Sequence, residues 1–146
     1  MRVAIGCDPN AAELKREIVE ELIGGGHDVV DLGSDDPVYA NVAFAVAEAV
    51  AAGEFDRGVV LCGTGIGVSI SANKVEGAFC ALVTDVYQAE RAALSNNANL
   101  IALGSQVTGS KLARALARTW MANVYAPGGR SEPKVRRIEA YDRERQ

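Results

Sequence analysis

Histidine is nearly absent from this chain: His27 is the only one in 146 residues. That excludes histidine-rich metal sites and any catalytic triad that runs through an imidazole. Cysteine is sparse too. Cys7, Cys62 and Cys80 contain no Cys-x-x-Cys pair, and any single disulfide would leave one thiol over. Unpaired thiols fit a reducing compartment, so a cytoplasmic protein is expected. There is no excess of positive charge. A net charge of −4 removes the electrostatic basis for a nucleic-acid partner. Residues 131–146 carry Lys134, Arg136, Arg137, Arg143 and Arg145, but also Glu132, Glu139, Asp142 and Glu144. They read as a mixed-charge helix and not a basic arm. No apolar run approaches the roughly 20 residues of a membrane span. The N-terminus opens on a strand pattern, without the basic and long apolar segments of a signal peptide. No membrane partner is expected. Aromatic residues are few and alanine is abundant. That favours helices packed closely on a sheet over an all-β sandwich.

What is present is an alternation of strand and helix patterns through one domain, residues 1–146. Arg2–Cys7 reads as a buried strand. Ala11–Ile23 reads as a helix with Leu14, Ile18 and Leu22 on one face and Lys15, Arg16 and Glu20 opposite. Gly24-Gly25-Gly26 ends it. His27–Leu32 is a second strand. Tyr39–Ala52 is an alanine-rich helix with Val42, Val46 and Val50 inward. Gly58–Cys62 is apolar throughout, as a central parallel strand covered on both faces should be. Helix is expected at Gly65–Val75, strand at Ala78–Val83, helix at Asp85–Ser95 and strand at Leu100–Leu103. Helices at Ser110–Met121 and Glu132–Arg143 complete the chain, separated by the turn Pro127-Gly128-Gly129. The fold class is α/β: a three-layer, five-stranded parallel sheet with right-handed crossovers, helices on both faces and an added C-terminal helix. Ligands of such sheets bind beyond the C-terminal strand ends. That rule gathers Cys7-Asp8, Asp31–Asp36, Cys62–Gly67, Thr84-Asp85 and Gly104–Gln106.

The strongest local signal is Cys62-Gly63-Thr64-Gly65-Ile66-Gly67. Three glycines alternate between a buried strand and a helix. Glycine admits positive φ and lets a ligand approach the backbone. Unpaired N–H groups at a helix start suit a phosphate, a carboxylate or a developing enediolate. A thiol beside such a start is favoured as thiolate. The other reading of Cys62 is a buried cysteine in a tight turn. A dinucleotide site fits less well. Its Gly-x-Gly-x-x-Gly normally follows the first strand, whereas Gly-x-Gly-x-Gly here follows the third.

Asp8 can exchange a hydroxyl proton or simply cap the next helix. Pro9 suits the first position of that helix. Cys7, Cys80, Trp120 and Met121 read as core, and His27 as structural. Ser95-Asn96-Asn97-Ala98-Asn99 is a polar run whose ordinary role is capping and turn formation. Arg130 and Lys134, four residues apart after Gly128-Gly129, could clamp a phosphate or form a solvated face.

The segment Cys62–Gly67, continued by Val68-Ser69-Ile70-Ser71-Ala72-Asn73-Lys74, resembles the signature of type B ribose-5-phosphate isomerases and the related galactose-6-phosphate isomerase subunits. The resemblance extends to Gly6-Cys7-Asp8, Leu14-Lys15, Asn96, Asn99, Gly104, Gly109 and Gly128-Gly129-Arg130. It implies a Rossmann-like domain and a homodimer, often paired into tetramers, with the active site between subunits. It implies no metal and no organic cofactor. A base moves a proton between C2 and C1 of a sugar phosphate through a cis-enediol. Val68 follows Gly67 where another branch has a glutamate, so the cysteine branch is the match and Cys62 is the implied base. Thr64 and Ser95 join it in the implied catalytic set. Asp8 and Pro9, the loop residues Gly63, Gly65, Ile66 and Gly67, and Asn96, Gln106, Arg130 and Lys134 are the implied substrate contacts.

Four positions depart from the family pattern. Pro9 and Ser95 stand where histidines are usual, and the second of those histidines is assigned to ring opening. Gln106 and Lys134 stand where arginines are usual, and lysine keeps charge but loses bidentate geometry. A tetrose 4-phosphate has O4 esterified, cannot form the furanose of a pentose 5-phosphate, and needs no ring opening. The run Glu90-Arg91-Ala92-Ala93-Leu94-Ser95-Asn96-Asn97 also resembles the branch that converts D-erythrulose 4-phosphate to D-erythrose 4-phosphate. That reaction is expected. The alternatives are a ribose-5-phosphate or hexose-phosphate isomerase, and a sugar-phosphate-binding homologue without turnover. A redox or acyl-transfer cysteine enzyme would lack both a histidine base and a resolving cysteine.

Overall fold

The computed structural model describes residues 1–145. Five strands form one parallel sheet: β1 (Arg2–Cys7), β2 (Asp28–Asp31), β3 (Arg57–Cys62), β4 (Cys80–Leu82) and β5 (Leu100–Gly104), in the spatial order β2-β1-β3-β5-β4. Six helices accompany them: α1 (Ala12–Gly24), α2 (Tyr39–Ala51), α3 (Ile66–Ala72), α4 (Val86–Leu94), α5 (Ser110–Ala122) and α6 (Glu132–Glu144). Among the described residues no helix is long and apolar enough to cross a membrane.

Strand order fixes the layers. The connection from β1 to β2 runs one way along the sheet, and those from β2 to β3 and from β3 to β4 run the other way. Right-handed crossovers therefore place α1 on one face and α2 and α3 on the opposite one. The path from β4 back to β5 returns α4 to the first face, where α5 joins it. Period-two alternation along each strand divides the apolar core accordingly. Val3, Ile5, Cys7, Val59, Leu61, Ile101 and Leu103 pack under α1, α4 and α5. Ala4, Val60, Cys62, Leu100 and Ala102 pack under α2 and α3. Every residue of β3 is buried, as its apolar sequence requires of a central strand.

The structure corrects the expected elements in places. A 3-10 turn at Pro9–Ala11 precedes α1, because the Asp8 carboxylate accepts the Asn10 N–H and caps a tighter turn first. Lys15 is not on the solvent face: it is buried and its Nζ lies 2.8 Å from Asp31 Oδ1, at the end of β2. A partner outside the helix overrides the amphipathic pattern. Helix α3 ends at Ala72, short of Val75, because the Asn73 side chain turns to β4: it donates to the Cys80 carbonyl and accepts the Cys80 N–H. Strand β4 is three residues and not six. It is an edge strand, and the Phe79 N–H is taken by the Asn99 side chain instead of the ladder. β2, the other edge, likewise contracts from the expected 27–32.

Candidate active site

Register sets the floor of the site. Cys7 pairs with Leu61, and Cys62 pairs with Gly104. Beyond the strand ends the ladder continues as single bonds: Asp8 N–H to the Leu61 carbonyl, Ser105 N–H to the Cys62 carbonyl, and Gln106 N–H to the Gly63 carbonyl at 2.8 Å. Asp8, the loop after Cys62, and Ser105-Gln106 thus meet at the C-terminal edge of β1, β3 and β5. β1 and β3 are the strands where the winding reverses, which opens a crevice between their following segments.

Cys62 is buried on the α2–α3 side, and its Sγ accepts the Gly65 N–H at 3.2 Å. Gly65 adopts a left-handed conformation, φ +80°, to make that turn. A Cβ there would stand 2.7 Å from Leu82 Cδ1 and 2.9 Å from the Leu103 carbonyl carbon. A Cβ on Gly67 would collide with the Tyr39 ring, so that ring lies directly against the loop. Both glycines are therefore demanded by shape. Thr64 Oγ1 accepts the Ile66 N–H at 3.3 Å. The N–H groups of Gly63 and Thr64 have no partner among the described residues, which leaves two donors at the crevice.

Asp8 is buried and spends both carboxylate oxygens locally: Oδ1 accepts the Asn10 N–H at 3.1 Å and Oδ2 accepts Asn10 Nδ2 at 3.4 Å. The capping role is real, and it holds the carboxylate at the crevice. Pro9 occupies the first position of the turn. The Gln106 side-chain amide lies against Gly63.

The remaining sequence-expected residues form a second group. Ser95 and Asn96 follow α4, both donating their N–H to the Arg91 carbonyl, at 2.8 and 3.2 Å. With Arg130 and Lys134 they line one cleft of about 550 Å³ between α4 and α6. Neither Cys62 nor Asp8 lines this cleft. The expected residues thus fall into two separate groups. Five residues of this lining were not anticipated, among them Tyr87 and Arg91 on α4. Their signal was present. Tyr87 and Arg91 stand four apart on α4, one turn before the Ser95 cap, and Lys134 and Ile138 stand four apart on α6, so each pair shares a helix face.

The other polar and thiol residues have structural roles. Asn99 joins strands, accepting the Phe79 N–H and donating to the Gly77 carbonyl, each at 2.8 Å. Burial pushes the Cys7 thiol up to about 11 and the Cys80 thiol to about 12. His27 packs beside the N-terminal ammonium, with Nδ1 at 3.2 Å, and its partial burial lowers its pKa. Among the described residues no three His, Cys, Asp or Glu side chains converge as metal ligands.

The chain is thus a doubly wound parallel α/β domain with a thiol at the end of β3, where the winding reverses, and a separate cationic cleft between α4 and α6. The ribose/galactose isomerase family model matches residues 3–138. The chain is 42% identical over 146 residues to the D-erythrulose-4-phosphate isomerase of Pectobacterium atrosepticum, covering 97% of this chain and 95% of that one. It is 39% identical over 147 residues to the ribose-5-phosphate isomerase B of Escherichia coli, covering 99% and 98%. Among solved structures, the Clostridium thermocellum ribose-5-phosphate isomerase B superimposes with a TM-score of 0.93 at 40% identity, over 100% of both chains. This chain belongs to the ribose/galactose isomerase family and is an isomerase.

Proposed function

We propose that this sugar-phosphate isomerase interconverts D-erythrulose 4-phosphate and D-erythrose 4-phosphate, with Cys62 as the base. The observation that supports the reading is the Cys62 sulfur at the C-terminal end of β3, accepting the Gly65 N–H, beside the unpartnered N–H groups of Gly63 and Thr64. The sulfur, as thiolate, takes a proton from C1 of the ketose. Charge moves onto the C2 oxygen, and the loop amides stabilise that enediolate. A proton passes from the C1 hydroxyl to the C2 oxygen, with Asp8 positioned to handle hydroxyl protons. Return of the first proton to C2 completes the aldose. Thr64 sits with its hydroxyl at the same loop and orients the substrate.

The phosphate falls to Arg130 and Lys134, with Asn96 binding a hydroxyl. Because these line a cleft apart from Cys62, the complete site takes its cationic half from a second copy of the chain. Exposed Ile66 and Ile70 lie on one face of α3 next to exposed Leu82 of β4, and they favour such a pairing. A homodimer is proposed on this ground, in the reducing setting that three free thiols suit.

Substrate length is argued from Ser95 and Pro9. No imidazole is available at the site to open a sugar ring, since His27 lies at the other end of the strands. A tetrose 4-phosphate is open already. The relative named for D-erythrulose 4-phosphate is consistent with this, and the Escherichia coli relative keeps the pentose as the second reading. Measuring kcat/KM for D-erythrulose 4-phosphate, ribose 5-phosphate and a hexose 6-phosphate tests the proposal. A preference for the tetrose is expected, and a clear preference for the pentose refutes it. Loss of substrate deuterium label from C1 separates turnover from simple binding.

A further inference from the structure

The cleft between α4 and α6 holds three cations, and only two are accounted for above. We propose that Arg91 is a third phosphate-binding and specificity-determining residue, supplying the guanidinium fork that Lys134 cannot. The inference rests on the reading that this cleft receives the substrate phosphate.

Four observations converge on it. Arg91 lines the cleft together with Arg130 and Lys134, and no carboxylate lines it. Its Nε is buried and without a hydrogen-bond partner, the one such buried side-chain atom among the described residues. Its terminal nitrogen has only a neighbouring, partly exposed partner, Glu90, at 3.2 Å. The face of the Tyr87 ring lies beneath the guanidinium, 6.0 Å from its carbon. Buried donors in folded proteins are ordinarily paired. A leftover donor on an arginine that lines a cationic cleft fits a ligand acceptor, and a guanidinium can bring Nε and a terminal nitrogen to bear on one anion together. That bidentate grip is what arginine gives a phosphate and lysine does not. The Tyr87 ring limits how far the guanidinium can swing.

The position also explains why the anion and the sugar are bound as one. The Arg91 carbonyl accepts the N–H groups of both Ser95 and Asn96. The residue that grips the phosphate therefore carries, on its own main chain, the two residues expected to meet the sugar. Arg91 then supplies in this cleft the guanidinium fork that Lys134 lacks.

The test uses the intact protein and two variants, Arg91→Leu and Arg91→Lys, each shown to keep the parent melting temperature within a few degrees. Binding of inorganic phosphate is measured by titration calorimetry, and kcat and KM are measured with D-erythrulose 4-phosphate. Arg91→Leu is expected to weaken phosphate binding by about tenfold to a hundredfold and to raise KM by a similar factor, with a much smaller effect on kcat. Arg91→Lys is expected to recover only part of the loss. Unchanged phosphate affinity in Arg91→Leu overturns the inference, as does full recovery in Arg91→Lys for the fork geometry. The two readings fail separately. Weaker phosphate binding in a chain that isomerises no sugar phosphate leaves the anion site standing and removes the reaction. Normal turnover with an indifferent Arg91 does the reverse.

Discussion

The Cys62 sulfur accepts the Gly65 N–H at 3.2 Å across the turn that ends β3. The bond holds the thiol at the strand end.

If that thiol is the base, its removal should be chemically severe and structurally mild. Cys62→Ala and Cys62→Ser should each lower kcat by at least about a hundredfold, the ordinary contribution of a positioned base. The side chain is small, so the melting temperature should move by only a few degrees. Parent-like turnover in the alanine variant would show that another group takes the proton.

The loop glycines should differ in kind. Gly65→Ala demands a left-handed alanine and meets the Leu103 main chain, which cannot yield. A cost of about 2 kcal/mol or more is expected. At Gly67 the obstacle is the partly exposed Tyr39 ring, which can swing away. Gly67→Ala should therefore cost less, and adding Tyr39→Ala should relieve most of that cost. Urea denaturation of the two single variants and the double variant measures this. Additive losses at Gly67 and Tyr39 would contradict the contact.

Much of this architecture was legible in the sequence, because one rule sufficed wherever a residue's environment was its own segment. The unbroken apolar run of β3 could only be a central strand, and Leu14, Ile18 and Leu22 could only face inward. Glycine at 65 announced a turn before any geometry was known. What was missed depends on partners distant in sequence. Lys15 looks like a solvated helix residue until Asp31, sixteen positions away, receives its charge. Arg91 looks like an ordinary exposed helix cation until α6 and the turn before it bring Lys134 and Arg130 to the same cleft. The division of the expected site into two halves was legible only through the family resemblance, since no local pattern says which residues a chain lends to its own pocket.

A buried guanidinium supports the far side of the sheet. Arg57, at the start of β3, lies over the Trp120 ring, 4.7 Å from its centroid. It donates to the Trp120 and Asn123 carbonyls where α5 ends. Burial lowers its pKa, but an arginine stays charged. Arg57→Met keeps the hydrophobic stem and strips both carbonyls of their donors. A loss of roughly 2–4 kcal/mol in urea is expected. Arg57→Lys reaches one carbonyl and should recover part. A neutral Arg57→Met would mean that solvent satisfies the α5 terminus.

The two structural thiols provide a test that depends on pH. Burial raises Cys7 to about 11 and Cys80 to about 12, from an ordinary 9.0. At neutral pH both are protonated and poor nucleophiles, so iodoacetamide at pH 7.5 should spare Cys7 and Cys80 in the folded chain. Cys7 and Cys80 should react only once urea unfolds the chain. The effect on stability has a definite sign. A raised thiol pKa means the folded chain keeps protons that the unfolded chain releases above pH 9. The stabilisation is complete below pH 9 and is lost as pH climbs toward 11 and 12. The urea midpoint should therefore fall over that window more steeply in the parent than in Cys7→Ala with Cys80→Ala. Equal slopes would mean that neither thiol is shielded by the fold.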